Sequence, residues 1–183
     1  MNESIELTTI SKFMSLVLRH RPARIGLSLD RAGWAEVDDL LARAFAAGRV
    51  ITRDQLNEVV ATSDKRRFAL SDDGLRIRAN QGHSIEVDLG LEPVAPPEFL
   101  FHGTASRFVE SVMATGLERR SRHHVHLTEE VAIGEAVGRR YGKPAILRIA
   151  AGAMAAQGHV FFRSANGVWL AESVPPAFIE EMS

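Results

Sequence analysis

One seven-residue stretch, Ser121-Arg122-His123-His124-Val125-His126-Leu127, holds three of the chain's seven histidines and an arginine. Read as a β-strand, with side chains alternating between faces, it puts Arg122, His124 and His126 on one side and His123, Val125 and Leu127 on the other. Such a cationic face has three chemistries open to it: a His-x-His metal site, a cradle for an anionic substrate, or a solvated strand edge. A metal ion would need further ligands from His102, His20 or a carboxylate, none at a recognisable spacing. With no cysteine in the chain, thiolate zinc sites, iron–sulfur clusters, disulfides and cysteine nucleophiles are excluded.

Other residues carry the same cationic chemistry. Arg19-His20 stands at the predicted end of a helix, where a cation is favoured by the helix dipole whether or not it acts on a ligand. Arg67 and, further on, Arg76 and Arg78 alternate with apolar residues in a predicted hairpin, giving it an arginine face. Phe99-Leu100-Phe101-His102-Gly103-Thr104 is an aromatic strand ending in a polar turn, whose glycine permits close approach of a ligand to the backbone. Neither the Gly-x-Gly-x-x-Gly of a dinucleotide crevice nor the Gly-rich Lys-Ser/Thr phosphate loop occurs, so any nucleotide has to bind in another way.

These residues need elements to hold them. Ile10, Phe13, Met14, Val17 and Leu18 have helical spacing and predict a helix from about Thr9 to His20, capped by Thr8 or Thr9 and stopped by Pro22. Val37, Leu40, Leu41, Ala44 and Phe45 predict a second helix ending at Gly48, after a link containing Gly33-Trp34. A third begins at the capping box Thr52-x-x-Gln55. Residues 66–70 and 75–79 predict two strands around Ser71-Asp72-Asp73-Gly74. Helix, helix, helix, hairpin is the element order of a winged helix. The later residues predict a strand at 99–104, a helix from Phe108 to Gly116, the strand 121–127, a helix capped at Thr128-Glu129-Glu130 and running to Tyr141, a strand at 144–149, and a hairpin turning at Ala165-Asn166-Gly167. The fold class is α+β.

With 45% apolar and 25% charged residues the composition is that of a soluble globular protein, without a signal segment or a membrane-spanning run, and the expected location is cytoplasmic. The net charge of −1 argues against bulk nonspecific nucleic-acid binding but allows a local cationic patch. Residues 1–85 carry 13 Lys+Arg against 11 Asp+Glu and the rest 9 against 12, so the first half is slightly basic. Residues 86–98, with four carboxylates and three prolines, have the composition of a linker between lobes 1–85 and 99–183.

Together the motifs resemble the RNA 2′-phosphotransferases of the KptA family. The resemblance is carried by Ser11-Lys12-Phe13 with Leu18-Arg19-His20, Gly33-Trp34, Ser63-Asp64-Lys65-Arg66-Arg67-Phe68, the run from Ile77 to Ser84, Leu100-Phe101-His102-Gly103-Thr104, the stretch Ser121–Leu127, and Asn166-Gly167-Val168-Trp169-Leu170. It implies an N-terminal winged-helix lobe for RNA and a C-terminal lobe of the ADP-ribosyltransferase type. It further implies NAD+ as co-substrate, with no metal. An RNA 2′-phosphate attacks the nicotinamide-bearing ribose carbon; the ribose 2″-hydroxyl then attacks phosphorus, leaving a 2′-OH on the RNA and ADP-ribose 1″,2″-cyclic phosphate. The family's Arg-His-Arg-Arg quartet falls on Arg19, His20, Arg67 and Arg122. His102, Gly103 and Thr104, with His124, His126 and Asn166, are the expected NAD+ neighbours. Many ADP-ribosyltransferases also carry a catalytic glutamate near the C-terminal strand; Glu172 is the nearby candidate. The implied partner is a 2′-phosphorylated, tRNA-like RNA, and the protein is expected to be a monomer. Two other readings stay open: ADP-ribosyl transfer to terminal phosphates of nucleic acid, and a non-catalytic winged-helix nucleic-acid binder that senses NAD+.

Overall fold

The apolar stripe Ile10, Phe13, Met14, Val17 and Leu18 is buried on one side of α1, which spans Asn2–Arg19 in the computed structural model. The structure describes residues 2–63, 66–120 and 122–182, with no side-chain description at 2–4, so Asp64, Lys65 and Ser121 of the motifs above lie outside the described residues. The helix starts about two turns earlier than predicted. No Gly or Pro interrupts residues 2–9, and the Thr9 hydroxyl donates to the Ile5 carbonyl (2.9 Å), a helix-interior bond rather than a cap. At the other end the amides of His20 and Arg21 both donate to the Leu16 carbonyl before Pro22 forces the chain into a 3-10 turn.

The chain divides into two compact units, Met1–Gly90 and Leu91–Ser183. In the first, β1 (Ala35–Glu36) leads directly into α2 (Val37–Ala46), and α3 (Arg53–Thr62) follows. The predicted capping box is present: the Gln55 amide donates to the Thr52 hydroxyl at 3.1 Å, and the Thr52 amide to the Gln55 side chain at 3.0 Å. Gly48 has the positive φ of 77° that closes α2. Phe45, predicted to face the core, is 68% exposed, because the buried stripe Val37, Leu40, Ala44 turns it toward solvent. Strands β2 (Phe68–Leu70) and β3 (Arg76–Ala79) form an antiparallel sheet in the order β1-β3-β2, and its inner residues Ala35, Phe68, Ile77 and Ala79 share one core with the helices.

The predicted arginine face of this hairpin is only partly realised. Arg66 takes a left-handed φ of 39°, so Arg67 precedes the strand instead of belonging to it. Arg76 and Arg78 lie over the Trp34 ring, with guanidinium carbons 5.5 and 4.6 Å from its centroid.

The second unit contains β4 (Leu100–Ala105), α4 (Val109–Thr115), β5 (Leu117–Glu118), β6 (Val125–Leu127), α5 (Val131–Gly138), β7 (Pro144–Ile149), α6 (Ala151–Ala156), β8 (Phe161–Arg163), β9 (Trp169–Ala171), β10 (Ser173–Val174) and β11 (Ile179–Met182). Its two three-stranded antiparallel sheets run β11-β7-β4 and β6-β9-β8. They are stitched where Phe101 and Thr128 exchange both backbone hydrogen bonds, at 2.7 and 2.9 Å. Buried Leu100, Leu127, Leu147, Ile149, Phe161 and Trp169 belong to the common core.

Helix α5 lies on β4 through glycine. A Cβ added at Gly103 would stand 1.7 Å from the Gly134 carbonyl oxygen, and one added at Gly138 would stand 2.5 Å from the Thr104 carbonyl oxygen. The predicted α5 is shorter than expected; it ends at Gly138, and a 3-10 turn continues to Tyr141. Residues α6, β10 and β11 escaped prediction: α6 is alanine-rich without a long stripe, and β11 alternates weakly as Ile-Glu-Glu-Met. Residues 86–98 bond to each unit in turn, through the Asp88 amide to the Arg31 carbonyl and the Val94 amide to the Phe161 carbonyl.

Candidate functional site

Three residues of the quartet gather in the first unit. Arg19, in the last turn of α1, donates from Nη2 to the Arg67 carbonyl oxygen at 3.2 Å, and its guanidinium lies 5.9 Å from the Phe68 ring centroid. The same Arg67 carbonyl accepts the Asn80 amide at 3.0 Å, while the Asn80 side-chain amide donates to the Arg66 carbonyl. Asn80, only 7% exposed, thus pins both arginines' backbone at the point where Arg66 turns left-handed. The Arg67 guanidinium, 3.4 Å from the Ser63 hydroxyl, faces a groove that His20 also lines.

His20 is held from the other side. Its Nδ1 lies 2.9 Å from the Ser84 hydroxyl, and the Ser84 amide donates to the Arg19 carbonyl at 2.9 Å. One residue therefore fixes both the backbone and the ring at the end of α1. Composition signalled neither Ser84 nor Asn80: both are short polar residues in the irregular run after β3, and only the fold brings Ser84 back to α1 and Asn80 onto the Arg66–Arg67 backbone.

The remaining residues belong to the second unit. The histidine-rich stretch is a strand only over Val125–Leu127, since residues 122–124 form a bend. Alternation still holds where the strand exists, with Val125 and Leu127 buried and His126 partly exposed. Arg122 reaches the same side by a different route: its Nη1 donates to Nδ1 of His126 at 3.2 Å. The His126 carbonyl in turn accepts a hydrogen bond from Nδ1 of His102 on β4 at 3.0 Å. Arg122, His126 and His102 are thereby chained across the seam between the two sheets.

That chain sets protonation. A carbonyl can only accept, so His102 carries its proton on Nδ1, and its Nε2 in the neutral form is an acceptor. Burial holds the His102 ring below the usual histidine range; the bond to the His126 carbonyl opposes this and the Arg122 charge adds to it. His124 is likewise lowered, by burial first and then by His123 and Arg119, with Glu172 opposing, and its ring meets Phe162 edge-on at 5.6 Å. With His124 against Phe162 and His126 Nδ1 bound to Arg122, the two histidines have separate partners. Among the described residues no three of His, Asp and Glu form a group that could hold a metal ion.

Thr104 is buried, and the backbone of Gly103 is approached by Gly134 of α5. Asn166 sits in the β8–β9 turn, where its Oδ1 accepts from the Ser164 hydroxyl at 2.7 Å. Glu172 is exposed just after β9. Glu129, expected to cap α5, instead accepts from the Trp169 indole at 2.7 Å and pairs with Arg163 at 3.1 Å. Among the described residues no helix is long and apolar enough to cross a membrane.

Comparison with known proteins covers nearly the whole chain. A family model described as RNA 2′-phosphotransferase, Tpt1 / KptA family, matches residues 6–173. A protein of Rhodopirellula baltica named "Probable RNA 2′-phosphotransferase" is 52% identical over 175 residues, covering 95% of each chain. Proteins of the same name from Hahella chejuensis and Agrobacterium fabrum are each 53% identical, covering 95% and 94% of this chain and 94% and 92% of their own. The match takes in both units, from α1 to β10, and so includes every arginine and histidine placed above. The chain belongs to the RNA 2′-phosphotransferase family, Tpt1 / KptA.

Proposed function

We propose that the protein removes an RNA 2′-phosphate by transferring it to NAD+, with Arg19, His20, Arg67 and Arg122 as its catalytic residues. The observation that carries this is the grouping of Arg19, His20 and Arg67, with the Arg19 carbonyl and the His20 ring held by Ser84 and the Arg67 carbonyl by Asn80, within a family of RNA 2′-phosphotransferases. On this reading residues 1–85 are a winged-helix lobe for RNA, joined through 86–98 to an ADP-ribosyltransferase-type lobe at 99–183. The three helices with the β1-β3-β2 sheet, and the paired antiparallel sheets of the second unit, support that division.

NAD+ supplies an electrophilic ribose carbon and a good leaving group. The second unit has groups suited to it. His102 Nε2 is an acceptor for a ribose hydroxyl, and Arg122 offers donors to a pyrophosphate or to the transferred phosphate. Gly103, Thr104, His124, His126 and Asn166 complete the candidate set.

The chemistry suits this residue inventory. A phosphate dianion is already nucleophilic, so the first transfer calls for positioning and charge neutralisation, which guanidinium forks provide, and not for a general base. In the second transfer charge builds on the non-bridging phosphoryl oxygens as the ribose hydroxyl attacks. His20, whose ring is oriented by Ser84, is the group that accepts or returns the proton.

The test is incubation of the protein with NAD+ and an oligonucleotide carrying one internal 2′-phosphate. Nicotinamide release together with a 2′-OH product is the expected result. ADP-ribose left covalently on the RNA would show a transferase that stops after one step, and RNA binding without nicotinamide release would show a binder.

A further inference from the structure

We infer that the groove between α1 and α3 is a track for the single-stranded RNA flanking the modified nucleotide, with Lys12 as its phosphodiester contact. This rests on the proposed activity, since His20 and Arg67 at one end of the groove would hold the 2′-phosphate.

The groove has a volume of about 750 Å³. Thr8, Ser11, Lys12 and Ser15 stand at i, i+3, i+4 and i+7 on α1, a single polar stripe opposite the buried Ile10, Phe13, Met14, Val17 and Leu18. Thr62 and Ser63 face it from the end of α3. A core-facing amphipathic helix needs only a solvated polar face, and charged pairs at i, i+4 are the ordinary content of one. This face has none. Among the described residues Lys12 makes no ion pair, the hydroxyls of Ser11 and Ser15 make no hydrogen bond, and no carboxylate lines the groove. Ser11, Lys12 and Ser15 thus bring three donors together along one concavity.

The chemistry of the lining is mixed in a way that selects the ligand. Leu7, Leu16 and Val59 offer apolar surface to sugar and base faces, while hydroxyls and one ammonium suit phosphodiester oxygens. From Thr8 to His20 the helix rises about 18 Å, the reach of a few nucleotides of single strand. The same overall charge of −1 that disfavours a broad electrostatic footprint is compatible with a track using one lysine and several neutral donors.

The experiment measures binding of the full chain, by fluorescence anisotropy, to a labelled single-stranded hexanucleotide with an internal 2′-phosphate and to a dinucleotide carrying the same group. Lys12→Ala should weaken the hexanucleotide about 5- to 20-fold and change the dinucleotide less than about 2-fold. It should also lower the slope of log K against log salt by about 0.7. Lys12→Arg should keep most of the affinity. Equal loss for both oligonucleotides, or no loss with the hexanucleotide, would overturn the track. Nicotinamide release by the wild-type protein on the same hexanucleotide is read separately. Lys12-dependent binding without turnover keeps the track and sinks the phosphotransferase reading; turnover indifferent to Lys12→Ala sinks the track alone.

Discussion

Ser84 grips the end of α1 at two points, its hydroxyl 2.9 Å from Nδ1 of His20 and its amide on the Arg19 carbonyl. Only the first bond depends on the side chain. Ser84→Ala should leave the fold intact and free the His20 ring, lowering kcat for 2′-phosphate removal about 2- to 10-fold, the worth of one neutral hydrogen bond. KM should hold, and single-turnover kinetics on 2′-phosphorylated RNA should show the loss in the chemical step. A variant with unchanged kcat would remove Ser84 from the positioning of His20.

Arg67→Ala and Arg122→Ala should each slow turnover by about 10- to 100-fold or more, since a hydrogen bond to a charged group is worth roughly 1.5 to 3 kcal/mol. Lysine at either position should rescue poorly, because a point charge does not reproduce a planar fork. Single-turnover kinetics on 2′-phosphorylated RNA would measure it, and near-normal rates would sink the assignment.

Gly103→Ala is expected to act on stability first. Its new Cβ would overlap the Gly134 carbonyl oxygen, forcing α5 away from β4. The cost is about 3 kcal/mol or more, a fall in melting temperature of roughly 6 to 12 °C. A variant melting like wild type but binding NAD+ weakly would show instead that the glycine serves a ligand.

Burial of His102 sets a pH limit. Its folded pKa lies below the unfolded value near 6.5, so the unfolded chain binds the proton more readily. The stability tied to neutral His102 is therefore fully present above about pH 6.5 and is lost as pH falls through the lower folded pKa. Melting temperature should drop on acidification through this range, and His102→Gln should flatten the drop. An unchanged slope would mean that other groups, His124 among them, carry the dependence.

Local spacing was enough to reveal much of this protein. Helical periodicity located the buried face of α1, the Thr52–Gln55 pair announced the start of α3, and Ala165-Asn166-Gly167 marked the β8–β9 turn, because each depends on residues within a turn or two of one another. The family resemblance singled out Arg19, His20, Arg67 and Arg122 from their motifs. Tertiary structure alone decided what holds them. Ser84 returns to the end of α1 more than 60 residues along the chain, and Asn80 closes on Arg66 and Arg67 across the β2–β3 hairpin, through bonds that no local pattern encodes. It also decided that Arg122 meets His126 from a bend and not along a strand, and that Gly103 is needed for the approach of Gly134. Such pairings arise when distant segments pack, so their geometry exists only once the chain has folded.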